Sequence, residues 1–312
     1  MMPKISIVIP VKNGIGILNQ CLDAIQKQTI FKDCEVVIVD SGSTDGTIAM
    51  LKTYDVTLVS IPPETFNHGA TRNLGVTHAK GEFVVMTVQD AVPTNEFWLE
   101  NMLRHFKDDH VSGVCGQQVI PHHKNKNPHE WFRPQSNPKS KTIHFKSKQA
   151  FDELSPEEKR NVCGWDDVNA MYRKTALEAI PFETIAFGED MLWAKAALEQ
   201  GHKLVYDHAV RVYHYHYQFP DYTYRRTMIS KVFIYKCFGY AVPHKFTLKD
   251  YALVIYRNFK WKLHPKWIWH NLKIVYYQRK ATNDFLRAIM NNTLSDLEQS
   301  LALNIPIGQQ KK

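Results

Sequence analysis

The apolar positions in the first third of the chain alternate between two spacings. Continuous β-branched runs, typical of strands buried on both faces, occur at residues 5–10, 35–40, 56–61 and 82–88. Apolar residues at helical spacing occur between them, at residues 17–25, 47–52 and 71–79. This alternation predicts an α/β fold: a mostly parallel sheet flanked by crossover helices, with a Rossmann-like nucleotide-binding core.

Two carboxylates stand where predicted strands end. Asp40 closes the run at 35–40, and Asp90 follows the run at 82–88. In parallel sheets, ligands bind beyond the carboxyl ends of the strands. Asp40 can accept hydrogen bonds from a base or ribose, or it can be a turn residue. Asp90 can hold a hard divalent cation with oxygen ligands, or it can form an Asx turn before Pro93.

A dense polar stretch at residues 66–75 precedes and opens the third predicted helix. A helix N-terminus and an arginine together favour phosphate, which makes Arg72 a candidate diphosphate ligand. Taken singly, Arg72 is more often a surface charge, and His68 is more often structural.

Further candidates lie later in the chain. Gly188, Glu189 and Asp190 precede a helical run, where two acids can complement the helix dipole or supply a general base for an acceptor hydroxyl. His214 and His216 share a face if their segment is a strand, and one of them could complete a metal site begun by Asp90. A zinc site made from the two histidines alone lacks a third ligand.

The composition divides the chain near residue 220. Residues 1–220 hold the predicted nucleotide-binding domain, with a polar excursion or mobile loop at 121–160. Residues 221–312 form a region that is expected to be helical, basic and aromatic. A last helix is expected at about residues 293–303, opening with a capping box of Ser295 and Glu298.

The C-terminal region has thirteen aromatic residues within 231–280, and within 241–280 nine Lys or Arg against one acid. Aromatics interleaved with basic residues favour a membrane interface with anionic lipids; the alternative is a packed helical subdomain with a solvated basic face. The aromatics concerned are Tyr251, Tyr256, Trp261, Trp267, Trp269 and Tyr276. No apolar run approaches the roughly 20 residues of a membrane span.

The net charge indicates the kinds of partner, and the cysteine content indicates the compartment of the protein. The 39 Lys and Arg against 31 Asp and Glu give a net charge of +8. That charge suits nucleotide phosphates, nucleic acid or an acidic membrane surface, or it is simply a soluble basic surface. Five scattered cysteines without a C-x-x-C pair argue against a zinc ribbon and fit reduced thiols in the cytoplasm.

Taken in order, these motifs resemble family 2 glycosyltransferases, which have the GT-A fold. The resemblance covers about residues 4–218 and rests on ISIVIPVKNG at 5–14, VIVDSGSTDGT at 37–47, Asp90 and the GED at 188–190. Within that family, FNHGATRNLG at 66–75 and Gln-Asp-Ala at 89–91 are similar to bacterial rhamnosyltransferases.

The resemblance implies a role for each candidate. Six residues would bind the donor nucleotide: Pro10, Val11, Asp40, Arg72, Gln89 and Asp90. Among them, Asp40 would bind the pyrimidine ring and Arg72 would approach the base or diphosphate. The metal, Mg²⁺ or Mn²⁺, would be held by Asp90 and His214, with His216 as second choice. Asp190 would be the catalytic base, with Glu189 beside it.

One position departs from the family's pattern. The family's metal motif is often Asp-x-Asp, whereas here the first acid is replaced by Val88. The departure puts strict metal dependence in doubt.

The resemblance implies an inverting sugar transfer, with dTDP-rhamnose as the first choice of donor and UDP-hexoses as the alternative. The acceptor would be a saccharide or a lipid-linked saccharide in bacterial surface polysaccharide synthesis, at the cytoplasmic face of the cell membrane. Two other classes stay open: a non-catalytic nucleotide-binding protein and a nucleic-acid-binding protein. The intact GED argues against the first, and strand-end acids that repel phosphate without a metal argue against the second.

Overall fold

The β-branched runs become the first strands of one nine-stranded sheet in the computed structural model of the chain. The structure describes residues 2–123, 126–131, 139–241 and 246–302. These residues divide into two units. The core unit comprises residues 2–119 and 139–215, and the helical unit comprises residues 120–123, 126–131, 216–241 and 246–302.

The nine strands all belong to the core unit. In chain order they are β1 (Ile5–Val11), β2 (Cys34–Asp40), β3 (Thr57–Ser60), β4 (Phe83–Thr87), β5 (Val92–Pro93), β6 (Val111–Val119), β7 (Ser140–Ile143), β8 (Asn169–Arg173) and β9 (Lys203–Tyr213). Their order across the sheet is β3-β2-β1-β4-β8-β6-β9-β5, with β7 paired to β9. The strands β1 to β4 pair in parallel, and β8 runs antiparallel to both β4 and β6. The predicted mixed α/β sheet is confirmed.

Thirteen α-helices occur within the described residues. In chain order they are α1 (Leu18–Gln26), α2 (Thr47–Leu51), α3 (His68–His78), α4 (Trp98–Leu103), α5 (Pro128–Trp131), α6 (Lys148–Asp152), α7 (Pro156–Val162), α8 (Lys174–Ala179), α9 (Glu189–Glu199), α10 (Pro220–Phe238), α11 (Leu248–Lys260), α12 (Lys266–Met290) and α13 (Leu294–Ser300). Helices α5 and α10 to α13 belong to the helical unit.

Helices cover both faces of the parallel strands. Ile5, Ile7 and Ile9 share one buried cluster with apolar side chains of α1 and α4. Val8 points the opposite way because side chains alternate along a strand, and there it meets α3 at Gly75. A Cβ on Gly75 would lie 2.3 Å from Val8 Cγ1, so α3 can approach β1 this closely only because the helix has a glycine there.

The segment 121–160, expected to be a long excursion or mobile loop, contains regular structure where it is described. Its first part contributes α5 to the helical unit, and its later part contributes β7, α6 and α7 to the core unit. Strand β7 pairs antiparallel with β9, from Ser140 opposite Asp207 to Ile143 opposite Leu204. Only Ile143 of β7 is buried, which explains why the strand left no hydrophobic pattern in the sequence.

The last helix differs from its prediction at its start. The N-cap of α13 is Thr293, without a side-chain cap bond, and the predicted capping box is absent. Glu298 instead accepts a hydrogen bond from Lys236 Nζ at 2.6 Å, so its carboxylate is drawn to a cation on α10. Within the described residues, no helix combines the length and the apolar character needed to cross a membrane.

Candidate active site

The parallel pairing of β1 with β2 and β4 brings the ends of these strands to one edge of the sheet. Val11 pairs with Asp40 at the end of β2. Asp90 lies three residues beyond Thr87, the last residue of β4. Strand β8 runs antiparallel to β4, with Asn169 opposite Thr87. The loop that precedes β8 therefore arrives at the same edge.

Asp40 is almost fully buried, with 2% of its surface exposed. Its Oδ2 accepts the backbone N–H groups of Gly42 at 2.9 Å and Ser43 at 3.0 Å, and its Oδ1 accepts the Ser43 hydroxyl. The carboxylate thus holds the turn after β2, which was the alternative interpretation of this residue. Its contact with a pyrimidine ring stays a prediction.

The two residues predicted beside Asp40 point in different directions. Pro10 is half-buried, whereas Val11 belongs to the hydrophobic core cluster. The Val11 side chain therefore does not line a pocket, and its carbonyl oxygen accepts the N–H of Ser41 at 2.9 Å. Because side chains alternate along a strand, adjacent residues such as these cannot both face the same site.

Gln89 links the loop after β4 to the end of β1. Its Oε1 accepts the backbone N–H of Lys12 at 2.9 Å, and its Nε2 donates to the Lys12 carbonyl oxygen at 3.1 Å. The side-chain amide therefore acts as a brace between two loops at the sheet edge, next to the half-buried Asp90.

The predicted metal ligands lie together. Asp90 Oδ1 is 3.4 Å from His214 Nε2, both within the core unit. His216, the second choice of ligand, belongs to the helical unit. His214 continues the β9 pairing beyond Tyr213, since its N–H donates to the Val119 carbonyl oxygen at 3.0 Å. One carboxylate and imidazole nitrogens are ligands that a divalent cation such as Mn²⁺ accepts, so the residues present fit the expected metal.

Arg72 is buried, with 4% of its surface exposed. Its Nε lies 3.2 Å from Asp167 Oδ2, and its Nη1 donates to Glu189 Oε1. The guanidinium therefore pairs with two buried carboxylates of the protein, which differs from the predicted contact with the base or diphosphate. Glu189, predicted beside the catalytic base, supplies one of them and is 6% exposed.

The polar stretch around Arg72 holds the chain that leads to α9. Asn67 caps α3 by accepting the Ala70 N–H at 3.1 Å, and it donates to the Ile185 carbonyl oxygen at 2.7 Å. Asn73 exchanges two hydrogen bonds with the backbone of Phe182. The segment that leads to α9 therefore packs against the start of α3. The polar residues hold this segment in place, and the N-terminus of α3 is not left open to phosphate.

Asp190 is half-buried in the first turn of α9. The helix starts from Gly188 at φ +86°, a conformation that favours glycine. Asp190 Oδ1 accepts the Met191 N–H at 2.7 Å, and Oδ2 accepts the Asp167 N–H at 3.4 Å. Burial raises the pKa of Asp190 well above its usual value, as do the negative charges of Glu189, Asp167 and Asp166. The charge of Arg72 opposes them but does not outweigh them.

Sequence reasoning missed the acids that surround Asp190. Asp166 and Asp167 precede β8, and burial raises the pKa of Asp167 to about 7 although Arg72 and the Tyr172 hydroxyl lower it. Tyr172 donates to Asp167 and accepts a hydrogen bond from Trp165 Nε1 at 2.6 Å. The available signal was the pair of adjacent acids immediately before a β-strand.

The comparisons with known proteins agree with this architecture. The family model described as "Glycosyl transferase family 2" matches residues 6–180. The chain is 34% identical to the O-antigen chain rhamnosyltransferase WbaN of Salmonella anatum and 31% identical to RfbN of Salmonella typhimurium. Each of these alignments covers 74% of this chain and 72% of the relative.

Solved structures show the same fold at low sequence identity. The mannosyltransferase PcManGT of Pyrobaculum calidifontis, in complex with GDP-Man and Mn²⁺, has a TM-score of 0.57 at 17% identity, over 97% of this chain and 81% of that one. S. aureus TarS 1-349 in complex with UDP-GlcNAc has a TM-score of 0.52 at 18% identity, over 91% and 92%. The chain belongs to glycosyltransferase family 2, and it is a glycosyltransferase with the GT-A fold.

The Arg72 pairing predicts a large stability effect. We expect Arg72→Met to lower the free energy of unfolding at pH 8 by about 3–5 kcal/mol, because it leaves buried carboxylates without a counter-charge. The loss should shrink at pH 5, where Asp167 can take up a proton. Urea denaturation of the full chain measures both values. Lys148→Met removes a cation from an exposed pair with Asp152 and serves as the control with an unchanged midpoint; an equal effect of the two changes would contradict the prediction.

Proposed function

We propose that the protein is an inverting rhamnosyltransferase that moves L-rhamnose from dTDP-rhamnose to a saccharide acceptor. The observation that carries the proposal is the half-buried Asp190, held at the start of α9 with its pKa raised by burial and by neighbouring acids. A carboxylate with a raised pKa is a stronger base for an acceptor hydroxyl. The choice of sugar is supported by the two curated relatives, which are named as O-antigen chain rhamnosyltransferases.

The proposed reaction is one displacement at the anomeric carbon. An acceptor hydroxyl oxygen forms a bond to that carbon while Asp190 takes up the hydroxyl proton. The bond between the carbon and the diphosphate oxygen breaks, and its electron pair leaves with the nucleoside diphosphate. A single displacement inverts the anomeric configuration. The backbone N–H groups of Met191 and Asp167 hold the Asp190 carboxylate in place for this proton transfer.

The sheet edge is the proposed donor site, with Pro10, Asp40 and Asp90 nearest the nucleotide. Asp90 and His214 would hold the divalent cation, Mn²⁺ or Mg²⁺. When bound, this cation supplies positive charge that stabilises the leaving diphosphate. Gln89 keeps the loop that carries Asp90 attached to the end of β1.

The proposed place of work is the cytoplasmic face of the cell membrane, where a lipid-linked acceptor is presented. The support is an exposed face of α11, opposite the buried Val254 and Asn258. This face, the α11 apolar face, carries Leu248, Ile255, Tyr256 and Phe259, exposed by 82%, 41%, 58% and 71%. Arg257 and Lys260 lie beside it on the same helix, and an amphipathic helix of this kind suits anionic lipids.

The six aromatic residues named for membrane contact separate into three groups by exposure. Tyr256, Trp269 and Tyr276 are exposed, in agreement with an interfacial role. Trp267 is 5% exposed and packs edge-on against His270, so it belongs to the interior of the helical unit. Tyr251 and Trp261 are half-buried.

A donor-hydrolysis screen tests the activity and the sugar together. We expect release of dTDP from dTDP-rhamnose in the presence of Mn²⁺, and none above background from UDP-hexoses. Chromatography of the released nucleotide gives the result, with boiled protein as the control. Release of UDP alone would assign the alternative donor class, and hydrolysis of no donor would favour a protein that only binds nucleotide.

The role of Asp190 predicts both a variant phenotype and a pH profile. Asp190→Asn should lower kcat by about 10²–10⁴-fold, with nucleotide affinity unchanged. In the wild type, kcat/KM should fall as the pH falls through the raised pKa of Asp190, because only the ionised form accepts a proton. The acid limb should lie above the ordinary aspartate pKa of about 3.9. Near-normal turnover of Asp190→Asn in a radiolabel transfer assay would exclude Asp190 as the base.

Vesicle flotation tests the membrane proposal. The full chain should float with vesicles rich in phosphatidylglycerol but not with neutral phosphatidylcholine vesicles, and the binding should weaken in high salt. Phe259→Ser should reduce the bound fraction because it removes an exposed aromatic from the α11 apolar face. Phe97→Ser, at an exposed aromatic of the core unit, is the matched control. Absence of binding to anionic vesicles would leave the packed helical subdomain as the explanation of the basic region.

A further inference from the structure

Gln118 lies between the predicted metal ligand His214 and the acid Asp166, which neighbours the proposed base. Gln118 lies on β6, and His214 directly follows the parallel strand β9, since β6 pairs Gln118 with Val212 and Val119 with Tyr213. Gln118 Oε1 is 2.6 Å from His214 Nδ1, and Gln118 Nε2 donates to Asp166 Oδ2. Asp166 is itself fixed, because its Oδ1 accepts the Val168 N–H at 2.9 Å.

The chemistry of the three groups sets the direction of both hydrogen bonds. A carboxylate only accepts, so the NH₂ group of Gln118 faces Asp166 and its carbonyl oxygen faces His214. That oxygen also only accepts, so His214 Nδ1 carries a hydrogen and donates it. In the neutral imidazole, the lone pair is then on Nε2, the atom that faces Asp90 at 3.4 Å.

We propose that Gln118 is a positioning residue for the metal site. It holds His214 in the Nδ1–H tautomer and fixes its ring, so that Nε2 is directed toward a cation shared with Asp90. This inference rests on the proposed function, because that function includes the cation. Partners that orient a metal-bound histidine typically change metal affinity by about 10–100-fold when they are removed.

A binding experiment with Mn²⁺ alone tests the role without an activity assay. Electron paramagnetic resonance counts free Mn²⁺ against the full chain for the wild type, His214→Ala, Gln118→Leu and Gln117→Leu. We expect His214→Ala and Gln118→Leu each to weaken Mn²⁺ binding by about 10–100-fold. Gln117→Leu is the matched control, because the Gln117 side chain alternates to the other face of β6, and its affinity should match the wild type.

A polarity swap separates orientation from charge. Gln118→Glu places a second carboxylate against Asp166 and should weaken Mn²⁺ binding through loss of the amide hydrogen bond. Adding Asp166→Asn to it restores a donor opposite an acceptor and should return the affinity to within about threefold of the wild type. If adding Asp166→Asn does not restore the affinity that Gln118→Glu loses, orientation through the Gln118–Asp166 hydrogen bond is wrong.

The tautomer of His214 is a metal-free readout. In long-range ¹H–¹⁵N spectra of the metal-free chain, the His214 signal, identified by its loss in His214→Ala, should show the Nδ1–H form. Gln118→Leu should shift it toward a mixture of tautomers, which a merely structural glutamine would not do. If His214→Ala weakens Mn²⁺ binding and Gln118→Leu does not, the positioning role is wrong. If the wild type does not bind Mn²⁺, or His214→Ala leaves its affinity unchanged, the metal part of the proposed function fails as well.

Discussion

The buried guanidinium of Arg72 is the interaction on which the candidate site depends. It joins three parts of the chain that are far apart in sequence: α3, the loop before β8 and the first turn of α9. Taking three charges out of water is costly, and that cost is offset only if the pairing and the remaining hydrogen bonds are complete. The Tyr172 hydroxyl adds a hydrogen bond to Asp167 Oδ1, while Asp167 Oδ2 and Arg72 Nε interact as an ion pair at 3.2 Å. Asp190 follows Glu189 in the first turn of α9, so the Arg72–Glu189 pair helps to fix its position.

The same cluster explains why the carboxylates near Asp190 need not all be ionised together. The Arg72 guanidinium is the cation that faces Asp167 and Glu189 in this cluster. The negative charges of Glu189, Asp167 and Asp166 raise the pKa of Asp190. Burial and like charges both favour keeping a proton within such a cluster. A raised pKa of the Asp190 carboxyl is the chemical consequence, and it follows from burial and from the crowding of acids around it.

The sequence predicted the elements better than their contacts. Periodicity located β1, β2 and β4 because they are largely buried on both faces and therefore continuously apolar. Strand β3 was located as well, although its residues alternate between half-buried and exposed. Periodicity could not show that Arg72 faces inward, because its partners lie 95 and 117 residues away along the chain. Strand alternation could have separated Pro10 from Val11, although motif resemblance placed both in the donor site. The proximity of Asp90 and His214 could be suggested from their metal-ligating side chains, and the family resemblance selected His214 over His216.

The departure at Val88 follows from how the loop after β4 packs. Val88 lies against the hydrophobic core cluster, where a carboxylate would lose its hydration without a partner. In the proposed metal site, the negative charge from the protein would come from Asp90, with the His214 imidazole beside it. A neutral imidazole binds a metal only through the nitrogen that has no hydrogen, so an orienting partner matters more here than in a site with two carboxylates. The Gln118 amide oxygen lies 2.6 Å from His214 Nδ1, where it can keep the hydrogen on Nδ1 and leave Nε2 to bind the metal.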